Sequence, residues 1–344
     1  MEGTGSVLHK LVTGFTEDLR AWSLTTACAR AARTTWFAFS DPQTLQTLLA
    51  DPSCHHHVKT VAPKDALFFA SHRAYLARGL GPRARGLAAL THYRNETVAL
   101  DTGYHEAVYD RGELPIWRRK HRGTVFEIRL MPGNDVLFEG GLSLTFFVDD
   151  HRIAVLSYSN IVPSVLQGGR LSDGPTGPLV PFVTRRQSSF HAYRCAFTAA
   201  FGRGTPGHLC LAALEGIALA QGSRELRGIS ADHHPAGPVL RPDGSNQLDT
   251  MYDDFWRSLS GERTCPLAWV IPLPLQPTPL EALNSHNRRR ALRLRRHQAA
   301  VRDSAFRTYR SHLLRPPPVD YQPAMEPPAE PEEEDTSDAP PASS

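Results

Sequence analysis

The 344-residue sequence predicts an α+β protein with a central mixed sheet, a helical front and a disordered tail. Three observations carry this. The first hundred residues have helical composition, residues 125–160 are a series of short β-branched and aromatic segments, and residues 201–261 alternate helix with strand.

The helical region covers residues 1–95. Its first forty residues are weakly patterned. Asp41-Pro42 then opens a helix over 43–50 with proline at the first helical position. Residues 64–77 and 82–94 form two more helices, separated by Gly79–Gly81.

The α+β domain covers residues 96–314. Strands are expected at 125–131, 135–138, 142–148 and 152–160, with Asp149-Asp150 as the hairpin between the last two. Pro163 ends the last of these, and Leu166-Gln167-Gly168-Gly169 turns away from it. Residues 171–181 are a Gly/Pro-rich loop, and 185–200 are expected to be a helix leading into a glycine turn, Gly202, Gly204 and Gly207. The run 209–220, apolar except for Glu215 and Gly216, is a buried helix stopped by Gly222. A strand at 226–230 follows. Asp249 then caps an amphipathic helix whose Tyr252, Phe255, Trp256 and Leu259 share one face, closed by Gly261. Residues 269–273 are a strand in which Pro272 and Pro274 point to a sheet edge or an early end. Thr278-Pro279-Leu280-Glu281 is a capping box opening an arginine-rich helix. Residues 315–344 are too rich in proline and glutamate to fold alone.

Charge divides along the chain. Residues 286–315 hold ten arginines against Asp303, whereas residues 316–344 hold eight acids and no base, so the tail is suited to shield its neighbour. No apolar run is long enough for a membrane span, and the opening MEGTGSVLHKLVTGF lacks a leader pattern, so a cytoplasmic location is expected. The five cysteines are scattered without a CxxC pair, as for reduced thiols.

Several groups offer chemistry. The turn Arg203, Gly204 and Gly207 opens a helix whose unpaired N–H groups favour phosphate. It fits GxGxxG formally, yet no strand is expected to enter it, which argues against a dinucleotide site. Tyr252 is a candidate general acid and His233 a candidate base, within the pair His233-His234 and with Asp232 beside it. Either aromatic or histidine can equally be packing or surface. Cys54-His55-His56-His57 holds zinc-ligand residue types, but four consecutive side chains do not close a tetrahedron and no metal site is expected. Arg288, Arg289, Arg290, Arg293, Arg295 and Arg296 suit an anionic partner through bidentate phosphate contacts, or a solvated helix face.

The order helix, strand and YDDFW helix, with Glu139-Gly140 and Leu166-Gln167-Gly168 upstream and the arginine-rich helix downstream, resembles the VirK/YbjX family of bacterial proteins over about residues 90–305. The resemblance implies a role in envelope integrity, virulence or stress response, with no accepted reaction. Residues 201–261 also look like the cofactor half of GNAT-type acyltransferases. That second resemblance implies a GNAT-like sheet, acyl-coenzyme A held at Arg203, Gly204 and Gly207, and acyl or aminoacyl transfer to an amine with Tyr252 as acid. Pro206 stands where that pattern usually has a glycine. A non-catalytic protein that binds an anionic partner through its arginine-rich helix is the alternative.

Overall fold

In the computed structural model the described residues are 24–51, 53, 75–133, 140–167, 178–189, 191–202, 204–240, 243–244, 246–276, 279, 281 and 284–323. Helices α1 (Leu24–Ser40), α2 (Pro42–Ala50) and α3 (Pro82–Ala99) form the front. Asp41 caps α2 as its sequence requires, its carboxylate accepting from the Thr44 amide at 3.2 Å, with Pro42 in the first turn. Of the helix expected over 64–77, only residues 75–77 are described, and they are not helical.

A short helix α4 (Thr102–His105) and a π turn (Glu106–Asp110) lead into the sheet. Its strands are β1 (Leu114–His121), β2 (Thr124–Pro132), β3 (Leu142–Val148), β4 (His151–Ile161), β5 (Val180–Ser188), β6 (Glu225–Ile229), β7 (Glu262–Cys265) and β8 (Ala268–Pro272). They lie in the order β1-β2-β3-β4-β5-β6-β8-β7. Strands β1 to β5 are an antiparallel meander, β5 and β6 are parallel, and β6, β8 and β7 are antiparallel. The hairpin between β3 and β4 turns at Asp149 and Asp150, both in the left-handed region that aspartate tolerates, and the Asp149 carboxylate accepts from the Val125 amide at 2.8 Å.

Helices α5 (Arg194–Phe201) and α6 (Pro206–Ala220) make the crossover that a parallel pair needs. After β6 come a π turn (Asp249–Asp253) and α7 (Asp254–Ser258), and α8 (Ser285–Ser311) ends the fold. Helix α6 packs against β3, β4 and β5 on one side and α8 on the other, so nearly all of it is buried. This is why its sequence is apolar all round rather than striped. At the helix crossing, a side chain on Gly216 would collide with the backbone of Arg302 and Phe306, so glycine sets the approach of α6 to α8. The apolar face of the meander holds Phe126 and Phe146 against Phe197 and Phe201 of α5, while α3 packs on β4.

Several expectations are corrected. Residues 185–188 are the end of β5, not the start of a helix, and β5 leads toward the glycine turn through a short 3-10 turn at His191–Tyr193 and α5. Pro181 and two arginines dilute its strand pattern. Of the two readings of Pro272 and Pro274, the early end holds, since β8 stops at Pro272, and the edge does not, because β7, whose Glu262-Arg263-Thr264-Cys265 carries almost no apolar signal, takes the edge. Helix α8 begins at Ser285, beyond the expected capping box, whose Thr278 and Leu280 lie outside the described residues. The segment 135–138, Glu139, Cys54, His55, His56 and His57 also lie outside them. Residues 316–323, the described start of the tail, lie against the fold. The Tyr321 hydroxyl accepts from Arg302 Nε at 2.7 Å and donates to Asp303, and its ring packs on Phe306.

Candidate functional site

Parallel strands β5 and β6 are joined by only two register pairs, Phe182 with Arg227 and Val183 with Gly228. The next residue, Thr184, is a bulge on the β4 side, where Val183 faces Tyr158 and Arg185 faces Ser157. From there β5 runs on through Ser188 while β6 ends at Ile229, one residue past its last pair, which leaves an opening, the split, beside β5 beyond the C-terminal end of β6. In open sheets with parallel strands this is the side on which ligands are bound.

Tyr252 fills the split. Its buried hydroxyl accepts from the backbone amide of Arg186 in β5 at 3.1 Å and lies 2.9 Å from Nε2 of His234, which follows β6. The other ring nitrogen of His234 accepts from the Ala236 amide at 3.2 Å. This assigns the proton to Nε2, so the histidine donates to Tyr252 and the phenol keeps its own proton as a donor. Burial, with Arg185 nearby, pushes His234 down to about 4, consistent with a neutral ring.

The elements around the split fix these groups. Tyr252 sits in the π turn, and a side chain on Gly228 would run into the Trp256 ring, so that glycine lets the following helix lie on β6. The Trp256 indole donates to the Ile229 carbonyl at 2.9 Å. One oxygen of Asp253 accepts from the Ala231 amide and from the Trp269 indole, both at 2.9 Å, tying the turn that carries His234 to the π turn and to β8.

Arg186 supplies positive charge. Its guanidinium carbon lies 3.8 Å from the centroid of the Phe255 ring, and Nη1 donates to the Met251 carbonyl at 2.8 Å. His208, in the first turn of α6, shares a hydrogen bond of 2.6 Å with the Thr205 hydroxyl and packs edge-on to Phe255. Burial and the Arg186 charge push His208 down to about 4.

The residues singled out in sequence separate here. Tyr252 is central. His233 is not beside it: the His233 ring meets Gly79 and the Ser230 hydroxyl, and its carbonyl accepts from Arg78, so the second histidine of the pair is the one at the split. Arg203 lies outside the described residues. The space a Gly204 side chain would enter is taken by Leu294 of α8 at 2.6 Å, so this glycine serves helix packing. Gly207 lies elsewhere, buried in the first turn of α6. It opens α6 with no side-chain cap present, and its missing side chain would lie 3.4 Å from Arg186 Nε. Arg186, Thr205 and His208 were not visible in sequence, because the strand that carries Arg186 was not. Among the described residues no group of side chains is set to hold a metal, and no helix is long and apolar enough to cross a membrane. The arginine-rich segment belongs to α8, where Arg288, Arg289, Arg293 and Arg296 are exposed.

A family model described as protein of unknown function, DUF535, matches residues 22–300. No curated protein and no solved structure matches the chain.

Proposed function

The chain belongs to the DUF535 family, which includes VirK/YbjX, and on that premise we propose that it transfers an acyl or aminoacyl group to an amine at the split between β5 and β6. One observation carries the reading. A tyrosine hydroxyl is held where β5 outruns its parallel partner β6, taking donors from Arg186 and His234 while keeping its own proton. The GNAT-like comparison is part of the same proposal. It is supported by the strand order, with a helical crossover between the two parallel strands and an antiparallel β6-β8-β7 unit after them.

When bound, acyl-coenzyme A supplies the activated carbonyl. Gly207 and Arg186 would hold its phosphates at the start of α6, where backbone N–H groups and the guanidinium favour anions. Tyr252 would donate its proton to the thiolate displaced by the acceptor amine, and its oxygen would take back the proton that the amine loses, so the phenol would be restored with no separate base consumed. His234 acts as a positioning residue through its donor to that oxygen. A role in envelope, virulence or stress biology follows in this proposal from the acceptor, an amine-bearing cell component. Calorimetric titration with coenzyme A and acetyl-coenzyme A tests the first step. Micromolar to millimolar binding that weakens in Arg186→Met supports it, and the absence of both heat and thermal stabilisation at millimolar ligand removes it.

The second reading, an anion-binding protein, is favoured by a separate observation. Helix α8 packs on β1, where Arg119 Nη1 and His297 Nδ1 lie 2.8 Å apart. Along α8 the exposed Arg289, Arg293 and Arg296 add positive charge that an anion could meet.

A further inference from the structure

We infer that Arg186 and His208, with Thr205 behind the histidine, make the split a receptor for a tetrahedral oxyanion, phosphate or a phosphate ester, and that His208 sets this preference as a neutral donor. The inference deepens the reading above and rests on the same opening, but it does not need acyl transfer to hold. It starts from an unbalanced charge. The half-buried Arg186 guanidinium lies on the Phe255 ring and Nη1 donates to the Met251 carbonyl, while Nε and Nη2 have no acceptor among the described residues. The acids on the elements that carry Tyr252 and Phe255 are turned to other partners. Asp249 accepts from Asn246, Asp253 from Ala231 and Trp269, and Asp254 pairs with Arg257. The charge that reaches His208 is that of Arg186, and the ionisable group that reaches Arg186 is Tyr252. A guanidinium drawn out of water with two donors open and no carboxylate beside it is compensated by an anion from outside.

His208 gives that anion its shape. Thr205 is the N-cap residue of α6, yet its hydroxyl makes no capping bond and lies 2.6 Å from Nδ1 of His208. Nδ1 is the acceptor that the hydroxyl proton has among the described residues, so Thr205 donates to it and the single proton of the neutral ring sits on Nε2. Nε2 has no partner among the described residues, and the ring packs edge-on to the same Phe255 that carries the guanidinium. Arg186 thus offers the Nε and Nη2 pair, which matches two oxygens of one anion, and His208 adds an N–H from α6. Three donors from two elements suit the three oxygens of a phosphoryl group better than the two of a carboxylate. With His208 pushed down to about 4, this donor carries no charge at neutral pH, so binding does not depend on its titration.

Sulfate is the probe, because it stays a tetrahedral dianion throughout and any pH dependence then belongs to the protein. Isothermal titration of the full chain with sodium sulfate, at an ionic strength held with sodium chloride, should give millimolar binding that is constant within about twofold between about pH 5.5 and 8. His208→Phe keeps the edge-on packing without the donor and should weaken sulfate about tenfold, the loss of one hydrogen bond to a charged group. His208→Gln, which restores an N–H, should recover part of that loss, and Arg186→Met should abolish binding. Affinity that falls about tenfold from pH 5.5 to 8 overturns the inference, since a charged imidazole would then be the receptor. So does the absence of heat at about 100 mM sulfate, far above a millimolar dissociation constant. Affinity unchanged in Arg186→Met, or in a His208→Phe protein that melts as wild type does, also overturns it and leaves an adventitious ion only. If His208→Phe does not fold, Arg186→Met and the pH profile decide. Sulfate binding without coenzyme A binding would keep this receptor and remove the acyl donor, whereas coenzyme A binding that ignores both substitutions would do the reverse.

Discussion

Tyr252 and His234 make opposite demands on their surroundings. The tyrosine needs its oxygen aimed into the split, and the histidine must stay neutral to keep Nδ1 as an acceptor for Ala236. Tyr252→Phe removes the proton donor while leaving the ring, so turnover in an amine-acylation assay should fall by about 10² to 10⁴, the range for loss of a general acid, with the circular dichroism spectrum unchanged. His233→Ala should leave that turnover within twofold, since His233 contacts Gly79 and Ser230 rather than the tyrosine. Burial also pushes His92 down to about 3. A histidine depressed in the folded state contributes stability that is fully present above its unfolded value near 6.5 and is lost as the pH falls toward 4. Unfolding titrations should therefore show stability dropping below pH 6.5 by about 1.4 kcal/mol per pH unit for each of His92 and His234. Glu96 works the other way, because burial, opposed by donors from Tyr109 and Tyr104, raises it to about 7. Its raised value favours the protonated fold, so this contribution declines from pH 4.5 to 7. Glu96→Gln should flatten that component of the profile.

Among the elements, α6 is the one on which the others converge. Gly216→Val would force its backbone away from Arg302, and overpacking of this kind costs about 1–3 kcal/mol. Chemical denaturation should show that loss with an unchanged m-value. How far each element could be read from sequence follows its composition. Helix α6, β2, β3 and β4 were legible because Leu, Val, Ile and Phe dominate them, and Asp41-Pro42 marked α2 to the residue. Strand β1 was hidden by the run Arg118-Arg119-Lys120-His121, whose charges an edge strand can turn to solvent. Strand β5 was hidden by Pro181, Arg185 and Arg186, and with it the split, since a split exists only between two strands. For the same reason Tyr252 could be singled out as a helix residue while its partners could not. The choice between His233 and His234 depends on the tight turn after β6, which no periodicity encodes.

At the scale of the whole molecule, the two ends of the described chain are held by different means. Helices α2 and α3 share the core of the sheet, whereas residues 316–321 are pinned onto α6 and α8 by Pro317, Val319 and Tyr321. Truncation after Arg315 removes partial burial of Val319 and Tyr321 together with the hydrogen bond to Arg302, together about 2–3 kcal/mol, and should lower the melting temperature by a few degrees. Differential scanning calorimetry measures this directly, and an unchanged transition would show that the docked tail adds nothing. The two-pair seam between β5 and β6 has a mechanical consequence. It joins five meandering strands to three others through the least main-chain pairing of any junction in the sheet, and the π turn and α7 brace it through Tyr252 to Arg186 and Trp256 to Ile229. The two halves should therefore breathe about that seam on a slower clock than side-chain motion. Backbone amides of Phe182, Val183, Arg227 and Gly228 should exchange with deuterium sooner than those of β3, and a molecule wedged into the opening should slow them first.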